Sequence, residues 1–243
     1  MIHIKTFETY KYYNKELCPI FWDNFKFNER IREKLITIAM DFFKELELKN
    51  VDIKDIRLVG SLANFNWTKY SDLDVHIVVD YTEINKDVEL VSSYLKDKKS
   101  LNDILHNITI QDFEVEVYVE DINDAPHSLG VYSLLKNGWL KIPVYSQPEI
   151  DYDLIDKKVE EFEEQIDKIE SLSKGKISPE DSTTYYNFMK LYKKKIMKIR
   201  QESLEKDGEL STGNLIYKRL RNDGYLDKVF DLINKLYDNI YIQ

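Results

Sequence analysis

The sequence is poor in the residues that mark secreted and membrane proteins. Its 243 residues include a single cysteine, Cys18, which excludes an intramolecular disulfide and fits a reducing compartment. No apolar run approaches the roughly 20 residues that a membrane span needs. The N-terminal stretch also lacks the continuous apolar segment of a signal peptide. We therefore expect a soluble cytoplasmic protein without a membrane partner.

Several common catalytic patterns are missing as well. There are only four histidines, and no Cys/His set has the spacing of a zinc site. Neither a G-x-G-x-x-G loop nor a Walker loop occurs, and no Ser/His/Asp arrangement stands out. Dinucleotide-dependent oxidoreductases, P-loop NTPases and zinc enzymes are therefore disfavoured.

The charge is acidic overall but unevenly distributed. A net charge of −9 argues against strong non-specific binding to nucleic acid, because phosphates repel an acidic surface. A basic cluster interrupts this pattern, formed by Lys190, Lys193, Lys194, Lys195, Lys198 and Arg200. It is either a solvated helix face or a local contact for a polyanion.

The hydrophobic pattern divides the chain into two parts. Residues 1–148 show mixed helix and strand periodicity, whereas residues 149–243 are helical throughout. The spacing predicts a helix from Asn28 to about Leu48 and a short helix over Val131–Asn137. It also predicts strands over Asp55–Val59, Asp72–Asp80 and Asp112–Glu120, and late helices near 214–222 and 225–239. We expect an α+β fold, with mixed helices and strands in the first part and a C-terminal helical part.

Two short motifs separated by ten residues suggest the chemistry. Gly60-Ser61 ends one predicted strand, and Asp72-Leu73-Asp74 begins the next. Carboxylates at positions i and i+2 of a strand share a face, and carboxylate oxygens are preferred Mg²⁺ ligands. Gly60 allows close approach of a triphosphate, which the backbone amides and the Ser61 hydroxyl can hold. Together the motifs favour metal-assisted phosphoryl chemistry.

A third carboxylate is expected on the acidic strand Asp112–Glu120. Glu114 and Glu116 share one face of that strand, and Val115 and Val117 bracket Glu116 in its middle. We favour Glu116 and keep Glu114 as the second candidate. The competing interpretation is that this face is simply exposed to solvent. His127 and Ser128, just beyond the strand, are placed to border the base or ribose.

At Val59-Gly60-Ser61 and Asp72-Leu73-Asp74-Val75 the sequence resembles the DNA polymerase β-like nucleotidyltransferase superfamily. The resemblance covers roughly residues 30 to 120. It implies a small mixed sheet flanked by helices and followed by a helical bundle, and transfer of NMP from an NTP to an acceptor hydroxyl with release of pyrophosphate. By that resemblance Asp72 and Asp74 are the paired metal ligands. With Glu116 as the third carboxylate, they form the expected catalytic site for two Mg²⁺ ions, with Mn²⁺ as a substitute. Substrate contacts are expected from Gly60, Ser61, Lys69, Lys190 and Lys194.

The acceptor stays open. An RNA 3′ end, a second nucleotide, a protein hydroxyl and a small molecule are all compatible with the same core. The basic helix mildly favours a short or structured RNA. Two other functions also remain, namely a catalytically silent nucleotide-binding or RNA-binding module and a toxin–antitoxin component. The sequence does not indicate the oligomeric state.

Overall fold

The chain divides into two units, Met1–Gln147 and Pro148–Gln243. The computed structural model describes residues 13–124, 128–146, 148–175 and 177–241. Each unit is described below by itself.

The first unit is organised around a mixed sheet of six strands. A separate hairpin of two short strands precedes the sheet, formed by β1 (Trp22–Asp23) and β2 (Lys26–Phe27). The sheet has the order β5-β6-β4-β3-β7-β8. Its strands are β3 (Asp55–Val59), β4 (Leu73–Val79), β5 (Thr109–Ile110), β6 (Phe113–Asp121), β7 (Val131–Ser133) and β8 (Gly138–Lys141). β4 and β6 are parallel, and the other pairs are antiparallel.

Helices flank this sheet. The first is α1 (Glu29–Glu45), which begins where the Asn28 side chain accepts hydrogen bonds from the N–H groups of Arg30 and Ile31. Its buried residues Leu35 and Ala39 belong to the same core as the apolar sheet residues. Two more helices follow β4, namely α2 (Tyr81–Ile84) and α3 (Val88–Leu105).

The two faces of the sheet differ in polarity. Leu73, Val75 and Ile77 alternate along β4 and are fully buried in the core. Asp74 and His76 lie between them and project to the opposite face. The sheet, its flanking helices and the helices that follow confirm the predicted α+β class.

The predicted helix over Val131–Asn137 is wrong. Residues 131–133 form β7, which pairs with β3 through Arg57↔Ser133 and Leu58↔Tyr132. Gly138 begins β8 and does not end a helix. A seven-residue apolar pattern is too short to separate helix from strand, and here pairing with the free edge of β3 decides the outcome.

The second unit consists, in its described residues, of four helices: α4 (Tyr152–Leu172), α5 (Pro179–Asp207), α6 (Thr212–Asn222) and α7 (Tyr225–Tyr241). Ile166, Met189 and Leu236, from three of these helices, are fully buried in one core. The Ser178 side chain accepts from the Asp181 N–H and caps α5. No helix in the described part of the chain is long and apolar enough to cross a bilayer.

Replacing Ser133 by alanine tests the assignment of residues 131–133 to the sheet. The Ser133 hydroxyl donates a 2.6 Å hydrogen bond to Asp55 Oδ1, and both side chains are buried. Its loss leaves a buried carboxylate oxygen with one donor fewer, so we expect the free energy of unfolding to fall by about 1–3 kcal/mol. Urea denaturation of Ser133→Ala measures this, with Ser100→Ala on the exposed side of α3 as control. Equal stability of the two variants would contradict the assignment.

Candidate active site

The turn at Gly60 brings the two sequence motifs into contact. Gly60 follows the last residue of β3 and has φ 72° and ψ −159°, a conformation essentially restricted to glycine. A Cβ atom added at this position would lie 1.9 Å from Asp74 Oδ2. The antiparallel register, which sets Val59 opposite Asp74, causes this closeness. Glycine is therefore required here both for the backbone conformation and for the space that the carboxylate occupies.

A serine pair ties the turn to the second motif. The Ser61 hydroxyl donates to Ser71 Oγ at 2.8 Å, and the Thr68 N–H donates to the same oxygen at 2.9 Å. Ser71 is buried and immediately precedes Asp72. Asp72 is half-buried and lies just before β4, which begins at Leu73, one residue later than predicted. The loop between the two motifs is thus held at both ends, and this constrains the position of Asp72.

The Gly60 amide has a partner within the protein. Its N–H donates to Ser128 Oγ at 3.1 Å, and the Ser128 hydroxyl donates to the Gly130 carbonyl at 2.8 Å. Ser128 therefore lies at the Gly60 turn, and its hydroxyl helps to hold that turn in place. His127, the other candidate from this segment, lies outside the described residues.

The third carboxylate is positioned by the parallel pairing of β4 and β6. Asp74 and Glu116 are register partners on neighbouring strands and project to the same face. Glu114 is exposed and pairs instead with Thr109 of the edge strand β5. The register therefore favours Glu116 over Glu114 as the companion of Asp74.

The match with a known family covers this region. Residues 37–126 match the family model described as a nucleotidyltransferase domain. This segment is thus similar to nucleotidyltransferase domains. It contains Gly60, Ser61 and the three carboxylates, and it confirms the resemblance drawn from the sequence. Comparison with curated proteins and with solved structures gave no significant match.

Within the matched segment, Glu116 is held by two donors that the sequence did not reveal. Lys99 Nζ of α3 lies 2.7 Å from Glu116 Oε2 and 2.7 Å from Asp103 Oδ2. The Tyr118 hydroxyl donates to the same Glu116 oxygen. Burial alone would lower the pKa of Lys99, but the hydrogen bonds to Asp103 and Glu116 outweigh it and raise that pKa above its ordinary value. Burial, and then the bond to Glu116, raises the pKa of Tyr118.

The residues present suit a divalent metal in their chemistry. Asp72 and Asp74 supply hard oxygen donors two residues apart, and the missing side chain at Gly60 lets the Asp74 carboxylate lie against the turn. Among the described residues, however, no three His, Cys, Asp or Glu side chains are already arranged to hold an ion. Glu116, the third proposed donor, has one oxygen engaged by Lys99 and Tyr118.

The polar face continues beyond Asp74 as a network of charges. His76 Nδ1 lies 3.0 Å from Glu120 Oε2. Arg57 is placed between two carboxylates, with Nη1 4.0 Å from Glu120 Oε2 and Nε 3.7 Å from Asp55 Oδ2. Arg57 thus lies near two carboxylates on the same face as the site, and the contact with Glu120 accounts for the position of His76 without a catalytic role.

The remaining predicted substrate residues lie at exposed positions. Lys69 is exposed in the loop between the two motifs, with Nζ 5.0 Å from the centre of the Tyr70 ring. Lys190 and Lys194 are exposed on α5 of the second unit, and Lys190 Nζ lies 5.1 Å from the Tyr186 ring centre. These contacts assign none of the three to a substrate.

Replacing Gly60 by alanine tests the contact with Asp74. Gly208 is a matched control, because it has φ 76° and ψ −163° but nothing within 4 Å of an added Cβ. Both alanine variants suffer the backbone strain of about 1–3 kcal/mol. Only Gly60→Ala displaces Asp74, so we expect faster amide exchange in peptides covering residues 55–80 in that variant. Hydrogen–deuterium exchange with mass spectrometry measures this, and unchanged exchange in those peptides would contradict the contact.

Proposed function

We propose that the protein transfers a nucleoside monophosphate from an NTP to an acceptor hydroxyl and releases pyrophosphate. The observation that supports this best is the contact of the Asp74 carboxylate with the bare backbone of Gly60. It joins a turn suited to phosphate with a carboxylate suited to metal, in a segment that is similar to nucleotidyltransferase domains. Asp72 and Glu116 extend the acidic group on either side of Asp74.

Asp72 and Asp74 are the proposed ligands of two Mg²⁺ ions, with Mn²⁺ as a substitute. Glu116 is the proposed third ligand, since the parallel register sets it beside Asp74. When bound, such ions stabilise the negative charge that develops on the attacking and leaving oxygens of an in-line displacement. By holding these ions, the three carboxylates would align the acceptor hydroxyl with the α-phosphate. This alignment would remove much of the entropic cost of bringing the two reactants together.

Ser61 and Gly60 are the proposed contacts of the triphosphate. The Ser61 hydroxyl donates to Ser71 and has to rotate away from it to donate to a phosphate oxygen. Gly60 contributes space more than a donor, because its N–H is bonded to Ser128. Lys69 is exposed in the same loop and can supply a cation to the β- or γ-phosphate.

The second unit offers a basic helix for a polyanion. Residues 182–201 of α5 contain six cations and no carboxylate, although the chain as a whole is acidic. Lys190 and Lys194, two of the four exposed lysines in this range, are the proposed substrate contacts. Such a segment suits the phosphates of a short or structured RNA acceptor. The proposal of an RNA acceptor is supported by this helix alone.

A silent nucleotide-binding module is the second candidate. One observation favours it, namely that Glu116 is already paired with Lys99 and Tyr118. A module of this kind would bind NTP without turnover.

Activity assays distinguish the two candidates. The purified protein is incubated with Mg²⁺ and each α-³²P-labelled NTP, with and without total cellular RNA. We expect label to move into RNA, protein or a small product. Asp72→Asn and Asp74→Asn should each lower the rate by about 10³-fold or more, because the metal contributes several kcal/mol of charge stabilisation.

Asp112→Asn is the matched control for these two variants, since Asp112 is exposed at the turn before β6. It should retain the wild-type rate. NTP binding without any transfer, unchanged in the aspartate variants, would reject the enzyme and favour the silent module.

A further inference from the structure

We propose that Lys99 is a positioning residue that holds Glu116 through an ion pair and competes with divalent metal for that carboxylate. The inference rests on the proposed function, since it takes Asp72, Asp74 and Glu116 as the metal ligands. It assigns a role to a residue of α3 that lies outside both sequence motifs.

The geometry of Lys99 is that of a cation shared by two carboxylates. Its Nζ is 2.7 Å from Glu116 Oε2 on β6 and 2.7 Å from Asp103 Oδ2 one helical turn further along α3. It also lies 4.4 Å from the centre of the Tyr118 ring. The Lys99, Glu116 and Asp103 side chains are only 20%, 24% and 30% exposed. These contacts are short and shielded, so they are stronger than an ordinary surface ion pair.

An ammonium and a divalent metal cannot share one carboxylate oxygen without strong repulsion. Glu116 Oε2 already accepts from both Lys99 and Tyr118. A metal that binds Oε2 must therefore displace the ammonium or rotate the carboxylate, and a metal that binds Oε1 lies close to the ammonium and is repelled by it. Lys99 thus weakens metal binding at Glu116, either through the cost of breaking the ion pair or through charge repulsion.

Asp103 makes that displacement possible. A buried lysine that lost its only partner would be left with an uncompensated charge, which is strongly unfavourable. Because Lys99 also bonds Asp103 at i+4, it keeps one carboxylate when Glu116 turns to the metal. Lys99 therefore pairs with both Glu116 and Asp103 in the metal-free protein, and it keeps Asp103 as its partner when Glu116 binds the metal.

The consequence is that the third ligand is engaged late. Without nucleotide, Glu116 is tied to Lys99. A bound triphosphate adds negative charge and shifts the balance towards metal at Glu116. Tight metal binding is then restricted to the nucleotide complex.

Mn²⁺ binding to the full-length protein without nucleotide tests this proposal, with free Mn²⁺ measured by electron paramagnetic resonance. We expect Lys99→Met to bind Mn²⁺ about 10- to 100-fold more tightly than wild type, because the variant removes a cation that repels the metal at short range. Lys99→Arg should retain the wild-type affinity, because it keeps the positive charge beside Glu116. Asp103→Asn should weaken binding, because the ammonium then depends on Glu116 alone.

Two controls separate this role from a structural one. Lys96→Met removes an exposed lysine of the same helix and should leave the affinity unchanged. In a Glu116→Gln background, Lys99→Met should have no further effect, because the carboxylate for which the two cations compete is gone. Thermal melts identify any variant that fails to fold. If Lys99→Met does not fold, the proposal is tested by Asp103→Asn, which should bind Mn²⁺ more weakly than wild type.

Unchanged or weaker Mn²⁺ binding by folded Lys99→Met would overturn the proposal, as would no detectable binding by either wild type or this variant. The proposed function fails differently. It is rejected if Asp72→Asn leaves Mn²⁺ binding and nucleotidyl transfer intact. Binding that Asp72→Asn abolishes but Lys99→Met leaves unchanged rejects the role of Lys99 alone.

Discussion

The site depends on the close approach of Asp74 to the backbone of Gly60. The approach follows from antiparallel pairing of β3 with β4, in which Val59 faces Asp74 and the next residue has no side chain. If Gly60 carried a Cβ, it would occupy the position of the carboxylate oxygen. This contact constrains the direction of Asp74, and the parallel pairing of β4 with β6 places Glu116 beside it.

A hydrogen bond next to this contact explains how Asp72 is positioned although it lies in a loop. Asp72 lies outside the strand, where a side chain is ordinarily less well fixed. The Ser61–Ser71 hydrogen bond ties the residue before Asp72 to the residue after Gly60. Two short motifs separated in sequence thereby become one structural unit. The prediction for Gly60→Ala depends on this unit and not on local strain alone.

Charge compensation is the second constraint on this face of the sheet. Carboxylates gathered for a metal repel one another unless cations lie among them. Lys99 supplies a cation at Glu116, and Arg57 supplies one between Glu120 and Asp55. The two cations differ in one respect that bears on function. Arg57 joins groups away from the proposed metal, whereas Lys99 contacts a proposed ligand and has Asp103 as a second partner.

The sequence predicted the parts of the fold and site that depend on local patterns. Gly60 and the Asp72–Asp74 pair are recognisable because a turn and a strand fix their geometry within a few residues. Glu116 could be preferred over Glu114 from its central position, and the register agrees. Lys99 could not be found in this way, since its contact with Glu116 depends on how α3 packs near β6. β7 was mistaken for a helix for a similar reason, because its strand form depends on β3.

The central claim is that Asp72 and Asp74 hold the metal at the Gly60 turn. Crystals of the protein with Mn²⁺ and a non-hydrolysable NTP test it most directly, through the anomalous signal of the metal. We expect a peak within about 2.5 Å of carboxylate oxygens of both aspartates and of a phosphate oxygen. Nucleotide bound with Mn²⁺ away from both aspartates would contradict the account.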